Sequence, residues 1–315
     1  MSHAASSSTE SPLQGVILMG SAMFILPIMD AIARHMAVSE GMAPAQVTFY
    51  RFLFQLVAII PFFLIPGTRL TLRSERPWLN IFRGVLHGGA TLCFFTAVKY
   101  MPFADVFAIY FVEPFILTGL SAVFLKEQVG WRRWTAIGIG FIGALIVIQP
   151  SFEKFGLISL LPLACAALFA FYMFLNRAAG VKDAPVTMQT MAAIGGMAIM
   201  AVALGTAGGA GLPDFAPSLP KSLSGLLLLL LLGAISGYGH ILVVRAFRLA
   251  PMSLLAPLQY FEIIAASLLG YFLFGEFPSG SKWLGIGIIV GSGLFIIWRE
   301  QVRASKAAKA SASLH

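Results

Sequence analysis

Charge is scarce in this chain. Of its 315 residues only 11% are Asp, Glu, Lys or Arg, against roughly 25% in a soluble domain. With 58% hydrophobic residues, too little polar surface remains to face water, which excludes a soluble globular domain. Cysteine is scarcer still: Cys93 and Cys165 stand alone, both inside apolar runs. That excludes a disulfide framework or a thiolate metal cluster and reads as small packing residues. Enzyme signatures are missing as well: H-E-x-x-H, G-x-S-x-G and the phosphate loop G-x-x-x-x-G-K-[ST] do not occur. No zinc hydrolase, serine hydrolase or ATP-driven machine is indicated, and no metal or other cofactor is implied. The polar residues 1–14 lack a basic n-region and a small-residue cleavage site. They predict a retained first helix behind a polar cytoplasmic N-terminus.

What is abundant is apolar sequence in runs of membrane-spanning length, about 20 residues each. The runs are Gly15–Ala33, Ala45–Ile65, Trp78–Val98, Pro102–Leu125, Trp131–Gln149, Gly156–Leu175, Val186–Thr206, Leu223–Val244, Pro251–Phe274 and Lys282–Trp298. The expected fold is therefore an all-α integral membrane protein of ten transmembrane helices. Between them, the Gly- and Pro-rich stretch Ala207–Ser222 reads as an exposed loop. An even helix number puts both termini on one side. Fourteen Lys and Arg of the connectors and tails fall on that side, from Arg69 to Lys309, against Arg34, Lys99, Lys154, Lys221 and Lys282 on the other. Cytoplasmic loops carry the basic excess, so both termini are expected in the cytoplasm, with 299–315 a basic tail. The net charge of +8 is thereby orientation, and no nucleic acid is called for.

The chain also repeats itself. A shift of 149 residues lays Gly88 on Gly237, Pro102 on Pro251, Glu113 on Glu262, Glu127 on Glu276 and Trp134 on Trp283 without a gap. The shift carries helix three onto helix eight, an odd step, so the second half must run through the membrane upside down. Two inverted five-helix repeats, 15–149 and 156–298, are expected, an architecture in which alternating access exposes one central site to each side in turn. Within this frame Gly138–Gly143 reads GIGFIG, a formal dinucleotide fingerprint. It lies in the middle of an apolar span rather than between a strand and a helix. Small residues at this spacing let membrane helices approach closely, and helix packing is the expectation.

The candidate site residues are polar groups at membrane depth. Glu113 lies 11 residues from Pro102 and 12 from Leu125, roughly 17 Å from either end at 1.5 Å per residue. An ionised carboxylate there costs at least about 2.5–3.5 kcal/mol, so Glu113 and its repeat partner Glu262 should face a cavity. They could bind a cation, hydrogen-bond a neutral solute or carry a proton, or simply pair with a histidine. Pro114 and Pro257 remove backbone donors beside them, and broken helices at membrane depth line cavities or are covered by protein. Tyr110, Gln259 and Tyr260, with His87, Tyr238 and His240, supply rings, an amide and hydroxyls for an aromatic or heterocyclic solute; each alone is as readily core. Asp30 and Arg51 lie at similar depth and are expected to tether helices one and two, a substrate contact being the alternative. Arg83, near an end, is expected to snorkel.

The halves KYMPFADVFAIYFVEPF with FLKEQVGWRRWTAIGIGFIGALIV, and RLAPMSLLAPLQYFEII with FGEFPSGSKWLGIGIIVGSGLFII, resemble the EamA branch of the drug/metabolite transporter superfamily. The resemblance implies a carrier with a central cavity lined by helices one, three, four, six, eight and nine, five and ten packing outside it. It also implies that Glu127 and Glu276 stand in the loops before helices five and ten as structural or gating residues. MDAIARHM, FYRFLF and RWTAIGIGFIGALIVIQP are similar to a subgroup with bacterial riboflavin importers and S-adenosylmethionine carriers. The implied function is secondary transport of a small organic metabolite across a bacterial inner membrane, riboflavin uptake first. Exporters or exchangers of amino acids or S-adenosylmethionine-like metabolites, and a channel-like facilitator, stay open. A small-molecule substrate, the bilayer and a coupling proton are the implied partners.

Overall fold

The computed structural model describes residues 12–64, 74–124, 131–178, 183–249, 255, 258–259, 261–276 and 279–312. Among them every regular element is helical. In chain order they are α1 (Pro12–Val38), α2 (Pro44–Leu64), α3 (Pro77–Tyr100), α4 (Phe103–Tyr110), α5 (Glu113–Phe124), α6 (Trp131–Phe155) and α7 (Leu161–Ala178). There follow α8 (Pro185–Ala203), α9 (Leu223–Leu249), α10 (Phe261–Phe274) and α11 (Gly280–Ala312). Proline opens α3 and α8, where its missing N–H is not needed. Ten spans are expected; among the described residues 6 stretches are long and apolar enough to cross a bilayer: Leu13–Val38, Pro77–Tyr100, Phe103–Leu120, Ser151–Leu175, Pro185–Gly208 and Leu223–Ala246. Phe261–Phe274 and Trp134–Gly143 are shorter apolar helices.

Packing follows the repeat. α1 lies on α9 as α7 lies on α3, α2 on α9 as α8 on α3, and α10 on α1 as α5 on α7. α2 with α8, and α6 with α11, pack across the two halves. Close approach needs small residues in these seams. A Cβ on Gly84 of α3 would lie 2.2 Å from the Ala192 carbonyl oxygen of α8, and one on Gly195 would lie 2.2 Å from that of Ile81. The GIGFIG stretch sits inside α6, as expected for packing. A Cβ on Gly143 would come within 3.0 Å of the Gly285 oxygen of α11, and one on Gly140 would enter the Phe115 ring; Gly138 faces open space.

The fourth span is broken in two. Pro114 has no N–H for the Tyr110 carbonyl, α4 ends at Tyr110, and α5 starts at Glu113. Glu113 is thus in the first turn of a half-helix. The free N–H groups and dipole of a helix N-terminus favour negative charge, which offsets part of the cost of a carboxylate at this depth. Pro27 lies inside α1 without ending it. The 207–222 loop is largely exposed yet tied down: Asp214 accepts from Lys99 Nζ at 2.6 Å and from the Tyr100 hydroxyl at 2.8 Å.

Candidate functional site

Between the two halves lies a cavity of about 510 Å³, within the usual size for small-molecule sites, about 300–1,000 Å³. Its wall is built from α1, α3, the α4–α5 break, α7 and α9, with Gln259 and Glu262. Two helices outside the expected set also reach it: α2 through Arg51 and α8 through Met188 and Gln189. α6 and α11 give it nothing among the described residues.

Part of the cavity wall is acidic. Asp30 on α1, Glu113 on α5 and Glu262 on α10 all line it and lie close enough to interact electrostatically. Among the described residues none of the three carboxyl groups has a hydrogen-bond partner, and none of their oxygens is sealed inside protein. They open onto the cavity itself. Tyr110 and Gln259 stand on the same wall.

Another part of the wall is aromatic and imidazole-rich. The His87 ring stacks on Tyr172 at 4.8 Å between centroids and lies 5.1 Å from His240 and 5.7 Å from Phe169. Arg51 Nη2 is 3.1 Å from His87 Nε2. An arginine can only donate, so Nε2 accepts and the ring proton sits on Nδ1. His240 Nδ1 lies 2.8 Å from the Ser236 carbonyl oxygen, which fixes the opposite nitrogen, Nε2, as an acceptor.

The structure corrects three expectations. Asp30 and Arg51 make no direct ion pair: Arg51 donates instead to Thr91 Oγ1 at 3.2 Å and to His87, tying α2 to α3, and Asp30 is left facing the cavity. Tyr238 is 43% exposed and donates to the Ala58 carbonyl oxygen at 3.1 Å. Two residues from His240, it points away from the cavity because a helix turns about 200° over two residues. Arg83 does not snorkel. It is fully buried, donating to Asn80 Oδ1 with its guanidinium over the Tyr172 ring. Tyr260 and Glu127 lie outside the described residues.

Asn80 continues to Asp183, which precedes α8. Asp183 accepts from Asn80 Nδ2 at 2.8 Å, Ser74 Oγ at 2.5 Å and the Glu75 N–H at 3.0 Å. Burial pushes its pKa up, but these bonds and Arg83 outweigh burial and hold it below the usual carboxylate value.

At the end of the cavity away from the chain termini, Glu276 makes its contacts. Gly275, at φ +66°, closes α10 with its own N–H on the Tyr271 oxygen and the Glu276 N–H on the Gly270 oxygen, both at 3.0 Å. This left-handed cap, natural to glycine, turns Glu276 back over the bundle. Its carboxylate takes both Nη groups of Arg34, Nη1 at 2.7 Å, and the Phe103 N–H at 3.0 Å. Arg34 also donates to the Met101 oxygen at 3.3 Å and lies over the Phe274 ring. Beside it Lys282 pairs with buried Asp105. α1, the α3–α4 turn and the α10–α11 turn are thus drawn together one helical turn beyond Asp30. Sequence reasoning put Arg34 among the loop charges and missed Tyr172, Phe169, Thr91 and Gln189. The spacing of Cys165, Phe169 and Tyr172 on α7 is a one-face pattern that marks α7 as lining; Arg34 pairs across 242 residues, and no local signal marks it.

The sequence model described as the EamA-like transporter family matches the chain twice, over residues 13–149 and 156–298. A riboflavin transporter of Vibrio cholerae is 30% identical over 288 residues, covering 90% of this chain and 93% of the relative. An S-adenosylmethionine uptake transporter of Rickettsia bellii is 30% identical over 262 residues, 83% of this chain and 86% of the relative. A riboflavin transporter of Rhizobium johnstonii is 25% identical over 300 residues. A solved crystal structure at 20% identity superposes with a TM-score of 0.63, covering 90% of this chain and 96% of the other, a likeness of fold.

Proposed function

Since the chain belongs to the EamA-like transporter family, we propose that it is a secondary carrier for a small heterocyclic metabolite, riboflavin first, by alternating access. The chain is a multi-pass membrane transporter rather than an enzyme, and its relatives are named for riboflavin or S-adenosylmethionine. The observation that carries the proposal is the cavity between the halves, whose wall combines rings stacked around His87 with three open carboxyls. A planar ring system fits the rings, and the hydroxyl-rich arm of riboflavin brings donors to the carboxyls.

In this reading the chain crosses the bacterial inner membrane ten times as two inverted five-helix repeats, 15–149 and 156–298, with both termini cytoplasmic. The paired packing of α1 on α9 and α7 on α3 supports the repeat, and the basic excess supports the orientation. Arg34 and Glu276 then close the periplasmic end. Glu113, Glu262, Asp30, Tyr110, Gln259, Tyr260, His87 and His240 contact substrate, and the three carboxyls carry the coupling proton.

The test is riboflavin uptake into proteoliposomes, followed by riboflavin fluorescence, with and without unlabelled riboflavin inside. Saturable uptake stimulated from the trans side is expected. Folded protein that takes up no riboflavin sinks the substrate assignment, and uptake without trans-stimulation points to a channel-like facilitator. Indifference to an imposed pH gradient removes the proton. A second reading, an S-adenosylmethionine-like cation, is favoured by the three carboxyls facing one arginine; labelled S-adenosylmethionine in the same vesicles decides between them.

A further inference from the structure

The described lining of the cavity is unbalanced in charge. It holds three carboxyl groups, Asp30, Glu113 and Glu262, one arginine and no lysine. That arginine, Arg51, is fully buried and already engaged: its Nη groups donate to Thr91 and His87, and its charge acts on Asp30. The next cation along α1, Arg34, is held outside the cavity by Glu276. The carboxyl oxygens meanwhile have no protein partner among the described residues and face the void. One coupling proton shared among three carboxyls leaves negative charge in the cluster, and a closed, water-poor cavity sets that charge against any anion brought beside it.

Resting on the carrier reading above, we infer that Asp30, Glu113 and Glu262 form an anion-excluding subsite, so that the transporter accepts neutral or cationic cargo and rejects the same molecule once it bears a phosphate. The three groups set specificity by repulsion as well as by the hydrogen bonds they accept. Donor-rich arms and ammonium or sulfonium groups satisfy the open oxygens; a phosphate ester brings only acceptors and negative charge to them. Against three carboxyls the lining sets a single arginine, buried and held on Thr91 and His87.

The experiment uses matched pairs on the full-length wild-type protein. Uptake of riboflavin into proteoliposomes is competed by unlabelled riboflavin and by riboflavin 5′-phosphate. In parallel, thermal unfolding of the detergent-solubilised protein is followed with each, and with adenosine against its 5′-phosphate. The expected result is that the phosphate esters compete and stabilise at least about tenfold more weakly than their parents. Phosphate esters that act within about threefold of their parents overturn the inference, as does a set of thermal shifts in which no pair is discriminated. A failure of the riboflavin reading looks different: riboflavin is not taken up, while adenosine still stabilises the protein and its phosphate does not. A steric explanation is separated by Asp30→Asn with Glu113→Gln and Glu262→Gln, together and singly, scored by the binding ratio of parent to phosphate rather than by transport rate. Repulsion predicts that the ratio falls toward one as carboxyls are removed. A ratio unchanged in folded variants assigns the rejection to shape and overturns the electrostatic subsite.

Discussion

Replacing Glu276 by glutamine keeps its volume and removes its charge, leaving Arg34 held by two neutral partners. The two side chains are 10% and 26% exposed, so the pair lies between two limits. Removing one partner of a fully buried pair costs about 3–5 kcal/mol, and an exposed pair is worth about 0–1 kcal/mol. A loss of about 2 kcal/mol is expected, since the glutamine still accepts from Phe103. If the pair forms only while this end is closed, the closed state loses that amount against the open one, about thirtyfold in population. Cys165 reports the change. It lines the cavity near the start of α7, and with Cys93→Ser it is the sole cysteine. Labelling by a membrane-impermeant maleimide, applied to vesicles from the face opposite the chain termini, should accelerate about thirtyfold in Glu276→Gln. Arg34→Gln should do the same, and Arg34→Lys less. Unchanged labelling of Cys165 in folded Glu276→Gln and Arg34→Gln protein would refute the latch.

Three further outcomes are expected. Glu113→Gln and Glu262→Gln each remove a charged acceptor from the cavity and should lower uptake by about tenfold while leaving the unfolding temperature of the purified protein near that of wild type; wild-type uptake in both removes these residues from the site. Gly84→Ala drives a methyl into the Ala192 backbone and should cost about 1–3 kcal/mol, whereas Gly138→Ala, with nothing nearby, should be neutral or stabilising by about 0.5–1 kcal/mol; thermal unfolding of both variants ranks them. Asp183, with its folded pKa below the ordinary value of 3.8, adds stability that is complete above that pH and lost as the pH falls through the depressed value. Unfolding temperatures measured from pH 6 to pH 3 should fall at the acid end, and Asp183→Asn should start lower and flatten the decline.

Much of this was legible in sequence because membranes make polarity informative. A carboxylate at the centre of an apolar run has few places to go, and Glu113, Glu262, Asp30, His87 and His240 all do reach the cavity wall. Proline predicted the break beside Glu113 from the loss of one donor. What failed was angular and long-range. Tyr238 differs from His240 by two residues, and a polarity argument along the chain does not see which face of a helix a residue occupies. Arg34 counts as a loop charge until a partner 242 residues away is brought beside it, and Arg83 counts as snorkelling until Asn80 and Tyr172 enclose it. Arg51 was paired with the nearest carboxylate at the same depth, yet its own helix carries it toward α3.

The cavity also separates what the repeat keeps from what it lets go. Lining positions correspond between the halves: Thr91, Phe94 and Phe95 of α3 answer to His240, Val243 and Val244 of α9 at the shift of 149, as Tyr110 answers to Gln259. On α1 and α7 the correspondence runs Leu26 to Phe169, Met29 to Tyr172 and Asp30 to Met173, a shift of 143. Among these pairs and the glutamates, only Glu113 and Glu262 are chemically the same. Rocking one half against the other requires matched frames, so the positions match. A substrate has no such symmetry, and a site that reads it must differ between its two walls. The residues that break the repeat, Asp30 and Thr91 from the first half and Phe169, Tyr172 and His240 from the second, give the two walls their different chemistry. Replacing Tyr172 or His240 by leucine should therefore change the relative uptake of riboflavin and S-adenosylmethionine, and an unchanged ratio in folded variants would take the asymmetric wall out of substrate selection.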